Sequence, residues 1–246
     1  TGYTRKPVRP TWEGMASYRG TLLHSSEYKN GDPWKGRPVL MIGFGNSACE
    51  QAIDLVERGA EAHLSVRSAV NVVQRDLLGL VPILAVGATM RHLPTWLADA
   101  LSWPLVRLTV GDITKVGLKK LPYGPNHQIK HDRRIPLLDI GTMDHIRAGR
   151  IRVHGGVTRF TEDGVVFEDG SAHAFDAVVL GTGYRPALEE FLPAAAEVCD
   201  PKGMPLASGG QSKLPGLYFC GFYVSPAGML REIGLEAQRI TKEIAS

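Results

Sequence analysis

Two glycines and a small residue in Gly43-Phe44-Gly45-Asn46-Ser47-Ala48 directly follow the apolar run Val39-Leu40-Met41-Ile42. This spacing suits a turn from a buried strand into a helix. Gly43 permits the tight turn, Gly45 lets a bulky anion reach the backbone, and Ala48 is small enough for the helix to lie close on the strand. The expected helix takes Asn46 or Ser47 as its cap, carries Ala48, Ala52, Ile53 and Val56 on one apolar face, and stops at Arg58 and Gly59. Its free N–H groups and dipole would then face the anion.

Glycines at turns are common for conformational reasons alone, so the neighbouring elements decide what this motif means. Ala62, Leu64 and Val66 alternate with His63, Ser65 and Arg67, which completes a β-α-β unit of about thirty residues and points to a dinucleotide site. A unit selective for NAD would carry Asp or Glu at the end of the second strand to accept from the ribose hydroxyls. Here the strand ends in Val66-Arg67-Ser68. Arg67 can pair with a 2′-phosphate through its planar fork and Ser68 can add a hydroxyl, so NADPH is expected over NADH. An ordinary solvated arginine is the plainer alternative.

Other elements must position this unit. The chain up to Asp32 is rich in Gly, Pro and polar residues and reads as connecting structure. From Val70 to about Arg107 the pattern predicts short helices interrupted by Pro82, Pro94 and Pro104. Lys115 to Arg134 reads as a basic loop, Asp139 to Ala148 as a short helix, and Ile151 to Val153 as a strand. Two Asp-Gly pairs, Asp163-Gly164 and Asp169-Gly170, predict an antiparallel β-meander between Val157 and Phe175. Asp176 to Leu180 is a second buried strand, running into Gly181-Thr182-Gly183-Tyr184, and Leu217 to Cys220, closed by Gly221, is a third. The last helix runs from Gly228 to Ala245 with Met229, Leu230, Ile233, Ala237, Ile240 and Ile244 on one face. The glycine turn at 181–183 and the closing strand and helix can each be purely structural; otherwise the last helix would aim its amino end at a ligand that gains negative charge.

Composition narrows the class. With 246 residues, 43% of them hydrophobic, the chain can bury a real core, and a net charge of +3 with scattered basic residues predicts no nucleic-acid partner. Cys49, Cys199 and Cys220 form no paired spacing, so three free thiols and a cytoplasmic setting are expected. The eight histidines show no ligand spacing and no Gly-x-Ser-x-Gly elbow occurs, so neither a metal site nor hydrolase chemistry is expected. The stretch from Leu77 to Met90 is broken by Gly79, Pro82 and Gly87 and falls short of the roughly twenty apolar residues of a membrane helix.

Taken together the motifs resemble the flavin-containing monooxygenases, above all bacterial members and the plant YUCCA type. Tyr18-x-Gly20 with His24 and Tyr28 is similar to the family's aromatic-x-Gly-x-x-x-His-x-x-x-aromatic signature, with Tyr18 in place of Phe. Thr1-Gly2-Tyr3 and Thr182-Gly183-Tyr184 resemble its two Ala-Thr-Gly hinge strands, with Gly181 where the second usually has Ala. Gly111-Asp112, Gly117-Leu118, Gly124-Pro125, Ile135-Pro136, Asp139 and Gly141-Thr142 are similar to the stretch between the cofactor motifs of YUCCA-type members.

The resemblance implies an NADPH- and FAD-dependent monooxygenase, in which NADPH reduces FAD and a flavin C4a-hydroperoxide passes one atom of O2 to a small organic substrate. It implies an α/β fold in which a Rossmann-like NADP-binding domain is nested in the C-terminal part of a Rossmann-like FAD-binding domain. Residues 1–32 would be linker and remnant of the FAD domain, 33–175 the NADP domain with its meander, and 176–246 the rest of the FAD domain. Gly43, Gly45, Asn46, Ser47, Arg67 and Ser68 would serve NADP; Thr182, Gly183, Tyr184 and Gly221 would lie on the FAD side. No catalytic acid or base is assigned, and a homo-oligomer is left open. The family's first Gly-x-Gly-x-x-Gly unit, which holds the FAD pyrophosphate, has no counterpart before Gly43, so it is expected to lie outside this chain or to be lacking. A flavoprotein disulfide reductase, which needs a Cys-x-x-Cys pair, and a catalytically silent NADP-binding module are the alternatives.

Overall fold

The computed structural model describes residues 2–77, 81–90 and 92–245. The short β1 (Lys6–Pro7) precedes β2 (Thr21–His24), β3 (Pro38–Ile42), α1 (Asn46–Glu57) and β4 (Glu61–Ser65). Next come β5 (Val72–Gln74), a small hairpin of β6 (Asp76–Leu77) and β7 (Val81–Pro82), and the helices α2 (Ile83–Met90) and α3 (Thr95–Thr109). The single turn α4 (Pro125–His127) leads through a π turn to β8 (Leu137–Asp139), α5 (Thr142–Arg147) and β9 (Ile151–His154). A meander follows, of β10 (Val157–Phe160), β11 (Gly164–Phe167) and β12 (Ala172–Ala174). The chain ends with β13 (Ala177–Leu180), β14 (Tyr184–Arg185), α6 (Ala195–Val198), β15 (Gly210–Gln211), β16 (Tyr218–Phe219) and α7 (Met229–Ile244).

The centre is a five-stranded parallel sheet in the order β2-β13-β3-β4-β9. Successive residues of β3 and β13 serve opposite faces, and both faces are covered. Val39, Met41, Ala177 and Val179 pack with Ala48, Ala52 and Leu55 of α1, whereas Leu40, Ile42, Val178 and Leu180 pack with Phe160, Val165 and Phe167 of the meander. Double coverage is why these strands are continuous apolar runs rather than alternating ones.

Several expectations give way here. β2, expected as connecting structure, is an edge strand paired with β13 from Thr21 to His24. Strands from 1–32 and 176–246 therefore sit in the same sheet as β3. Gly20 and Tyr18 make this pairing, because a Cβ on Gly20 would strike the Tyr18 hydroxyl, which donates to the Phe175 carbonyl at 2.7 Å. The region after Val70 is not mainly helical at its start: Val72 to Gln74 form β5, parallel to β8, since β-branched Val72 and Val73 bury well in a strand. The stretch Lys115 to Arg134 contains a turn of helix and a π turn rather than loop alone. On β4 the alternation would leave His63 and Ser65 to solvent, yet both are buried, because the meander lies over that face.

The C-terminal segment departs furthest. Leu217 to Cys220 is not a strand of the buried sheet: among the described residues Tyr218–Phe219 pair with β15 alone, and Cys220 is exposed. On α7 most of the face named from the sequence is exposed, Leu230 at 86% and Ile244 at 64%, with Met229 and Ile240 only partly covered, while Glu232 and Glu236 are buried. The inward acids are held by polar partners, Glu236 by the Gly221 N–H at 2.5 Å and Glu232 by Arg231 at 3.0 Å. Among the described residues no helix is long and apolar enough to cross a membrane.

Candidate functional site

The glycine-rich turn lies at the carboxyl ends of the parallel strands, where the strand order reverses between β3 and β13, the place where open α/β sheets take ligands. Gly43 has φ 130°, and a Cβ there would collide with the Gly181 carbonyl oxygen. Its glycine identity is a packing requirement. Gly45 is different: its φ of −91° is ordinary, and a Cβ would meet nothing within 4 Å. Open space therefore stands over Gly45, beside the start of α1.

Gly45 itself is the cap residue of α1, and no side chain caps the helix. Neither Asn46 nor Ser47 does so. The Asn46 carboxamide Oδ1 instead accepts the Leu138 N–H at 3.0 Å, tying the turn to β8, and Ser47 is exposed. The amino end of α1 thus keeps donors and positive potential for an anion, and the space above Gly45 accommodates one. These residues fit a dinucleotide pyrophosphate. Ala48 lies where the helix crosses β13, its methyl filling the space a side chain on Gly181 would need.

Arg67 follows β4 and is exposed, as is Ser68. Its guanidinium makes no ion pair or hydrogen bond among the described residues. The backbone of Gly156 packs against the base of its side chain, where a Cβ would come 2.9 Å from the Arg67 Cβ. Ser65 fixes the same loop by donating to the Gly155 carbonyl at 2.8 Å. An unpaired guanidinium on an anchored loop can take a 2′-phosphate.

The residues assigned to the flavin side are engaged within the chain. The Thr182 hydroxyl donates to the Val8 carbonyl at 2.5 Å, and the Gly183 carbonyl accepts the Val8 N–H at 3.0 Å. Tyr184 pairs with Pro7 across β1 and β14. The Gly221 N–H is held by Glu236, whose other carboxylate oxygen is buried without a partner. Thr182, Gly183 and Tyr184 adjoin the β3 turn through Gly181, but Gly221 belongs to the separate β15–β16 and α7 unit. Among the described residues the Thr182 hydroxyl, the Gly183 carbonyl and the Gly221 N–H are engaged within the chain, and Thr1 lies outside the described residues.

Sequence reasoning missed two groups. His24 is fully buried at the end of β2, with Nε2 3.1 Å from the Gly183 carbonyl and its ring edge-on to Tyr184. Burial lowers its pKa, so it stays neutral and pins the link after β13. The spacing of Tyr18, Gly20 and His24 was the available signal. His63 and His154 also meet, Nδ1 to Nε2 at 2.8 Å, beneath Phe167, Phe175 and His173. Burial pulls His63 down to about 4, with the neighbouring His154, Arg152 and His173 adding to the effect. No spacing along the chain connects these histidines; only the β4–β9 pairing does.

Comparison with known proteins agrees with this architecture. The flavin-binding monooxygenase-like family model matches residues 1–200. Indole-3-pyruvate monooxygenase YUCCA1 of Oryza sativa subsp. japonica is 36% identical over 231 residues, 90% of this chain and 55% of that protein. YUCCA4 of the same plant is 34% identical over 244 residues, 99% of this chain and again 55% of its own length. The chain thus spans little more than half the length of these relatives. Among solved structures, a mutant flavin monooxygenase from Stenotrophomonas maltophilia aligns over 100% of this chain and 62% of its own, with TM-score 0.64 and 21% identity. Cyclohexanone monooxygenase from Rhodococcus sp. Phi1, solved with NADP+, aligns over 74% of this chain and 45% of its own at TM-score 0.55 and 16% identity. These two share the Rossmann-like α/β fold. The chain belongs to the flavin-binding monooxygenase-like family.

Proposed function

We propose that this chain is the NADP-binding part of a flavin-dependent monooxygenase acting on a small organic molecule with O2. The observation that carries the reading is the uncapped amino end of α1 under the open space at Gly45, with the unpaired Arg67 on the loop just after β4. In this reading Gly43 and Gly45 shape the turn, the first amides of α1 and Ser47 take the pyrophosphate, Asn46 holds the turn on β8, and Arg67 with Ser68 takes the 2′-phosphate. When bound, the nicotinamide supplies hydride and a flavin supplies the oxygen chemistry. Thr182, Gly183 and Tyr184 carry the chain away from the turn toward the flavin side, to which Gly221 is also assigned, and the NADP domain of 33–175 is nested between the two flanking segments. The named relatives act on indole-3-pyruvate, which makes an aromatic keto acid the first substrate to try. The test is NADPH oxidation and oxygen uptake by the chain joined to a family FAD-binding unit loaded with FAD, with product separated from hydrogen peroxide. Substrate-coupled uptake is expected; thiol-disulfide turnover without oxygen uptake would contradict it.

A second reading, a silent NADP-binding module, is favoured by the internal satisfaction of Thr182, Gly183 and Gly221. It predicts NADPH binding with no flavin absorbance after FAD is added.

A further inference from the structure

Two cavities share walls beside the dinucleotide turn. One, of about 190 Å³, is lined almost wholly by apolar groups, including Val86, Val106, Leu138 and Met229. Its wall at Leu138 is the residue whose N–H is held by Asn46, so the cavity adjoins the start of α1. The second, of about 400 Å³, shares Met90, Asn126, Ile129 and Pro226 with the first and adds Lys130 and Arg133. No acidic side chain lines either one among the described residues. The pair therefore grades from dry and apolar to wet and cationic.

The cations sit on a built element. Asp99 accepts the Asn126 N–H at 2.8 Å and the His127 N–H at 3.1 Å, capping α4, and a Cβ on Gly124 would collide with its carboxylate. The chain then widens into a π turn, Gln128–Asp132, anchored by Gln128, which is buried and accepts from Asn71 Nδ2 at 3.0 Å. It ends at Arg133, one of two non-glycine residues with positive φ among the described residues, here 51°. Widened turns and left-handed non-glycine residues are held in place by their surroundings and gather at functional sites. Arg133 is partly neutralised by Asp200 at 3.7 Å, whereas Lys130 has no ion pair among the described residues.

We propose that the two cavities form one substrate site, in which the apolar compartment takes a flat hydrocarbon or aromatic body and Lys130 selects a carboxylate at its mouth. Naming the bound molecule a substrate rests on the monooxygenase reading; the selectivity does not. An ammonium facing an organic carboxylate across a half-wet cavity makes a charge-assisted hydrogen bond that a neutral isostere lacks. The apolar walls give binding without choice between the two, so the preference for the acid is carried by Lys130.

The test uses 3-phenylpropionate and its neutral amide, titrated calorimetrically into the chain with and without saturating NADP+. The unaltered protein should bind the acid about tenfold tighter than the amide. Lys130→Gln should remove that gap and leave the amide unchanged, and Lys130→Arg should retain most of it. Equal binding of acid and amide by the unaltered protein, or binding of neither, overturns the proposal without any variant. So does a Lys130→Gln variant that weakens both probes alike, or one that weakens NADP+ instead, which would make Lys130 a cofactor phosphate contact. Acid selectivity in the chain, with no NADPH-dependent oxygen uptake once the chain is joined to a FAD-loaded family FAD-binding unit, would sink the monooxygenase reading and leave this site standing.

Discussion

Ala48 and Gly181 share the space of a single methyl group: a Cβ on Gly181 would stand 2.6 Å from the Ala48 Cβ, where α1 crosses the end of β13. In sequence the two look unrelated: Ala48 is the small residue that closes the glycine motif, and Gly181 stands where the family's second hinge strand usually has Ala. In the fold they are one compensated pair.

Gly181→Ala alone should therefore overpack this crossing and lower stability by about 1–3 kcal/mol. Ala48→Gly in the same chain should restore most of it. Thermal unfolding of the two single variants and the double variant measures the coupling; additive effects would mean that the two positions do not compete for the same space.

Gly43 and Gly45 should separate under substitution by alanine. Gly43→Ala meets both a φ of 130° and the Gly181 carbonyl, so it should unfold at a markedly lower temperature. Gly45→Ala has ordinary backbone and open space, so its melting temperature should stay within a degree or two, while NADPH affinity drops about tenfold as the methyl enters the pyrophosphate's place. Unchanged affinity in Gly45→Ala would remove the ligand from that space.

The burial of His63, against His154, should make stability fall in acid. His63 is held near 4 in the folded chain against an unfolded value near 6.5, so the unfolded chain binds the extra proton across that window. Stability from this residue is whole above about pH 6.5 and is lost as pH falls toward 4, by up to about 3 kcal/mol. Denaturant unfolding from pH 4 to 7.5 reads the slope. His63→Phe should flatten it; an unchanged slope would assign the acid loss to other groups.

What the sequence made legible follows from where its signals are local. The β3-turn-α1-β4 unit was readable because each step, apolar run, glycine, amphipathic helix and second run, lies within one stretch. The meander was readable because Asp163-Gly164 and Asp169-Gly170 specify its turns. β2 was not: Thr21 to His24 form a strand only because β13, more than 150 residues later, offers a free edge. The burial of His63 and Ser65 and the outward turn of Leu230 likewise depend on which element covers a face, which no periodicity encodes. At the site, Gly43 was read as the tight turn and Gly45 as open backbone, and their geometry differs in that sense, whereas Asn46 was read as a cap but bonds β8.

The most direct test of the account is nucleotide preference at Arg67. NADPH and NADH are titrated by nicotinamide fluorescence into the chain and into Arg67→Gln. The account predicts that the unaltered chain favours NADPH by at least about tenfold, and that the variant loses this preference by weakening NADPH while NADH is unaffected. Equal binding of the two nucleotides by the unaltered chain, or a preference that survives Arg67→Gln, would contradict it.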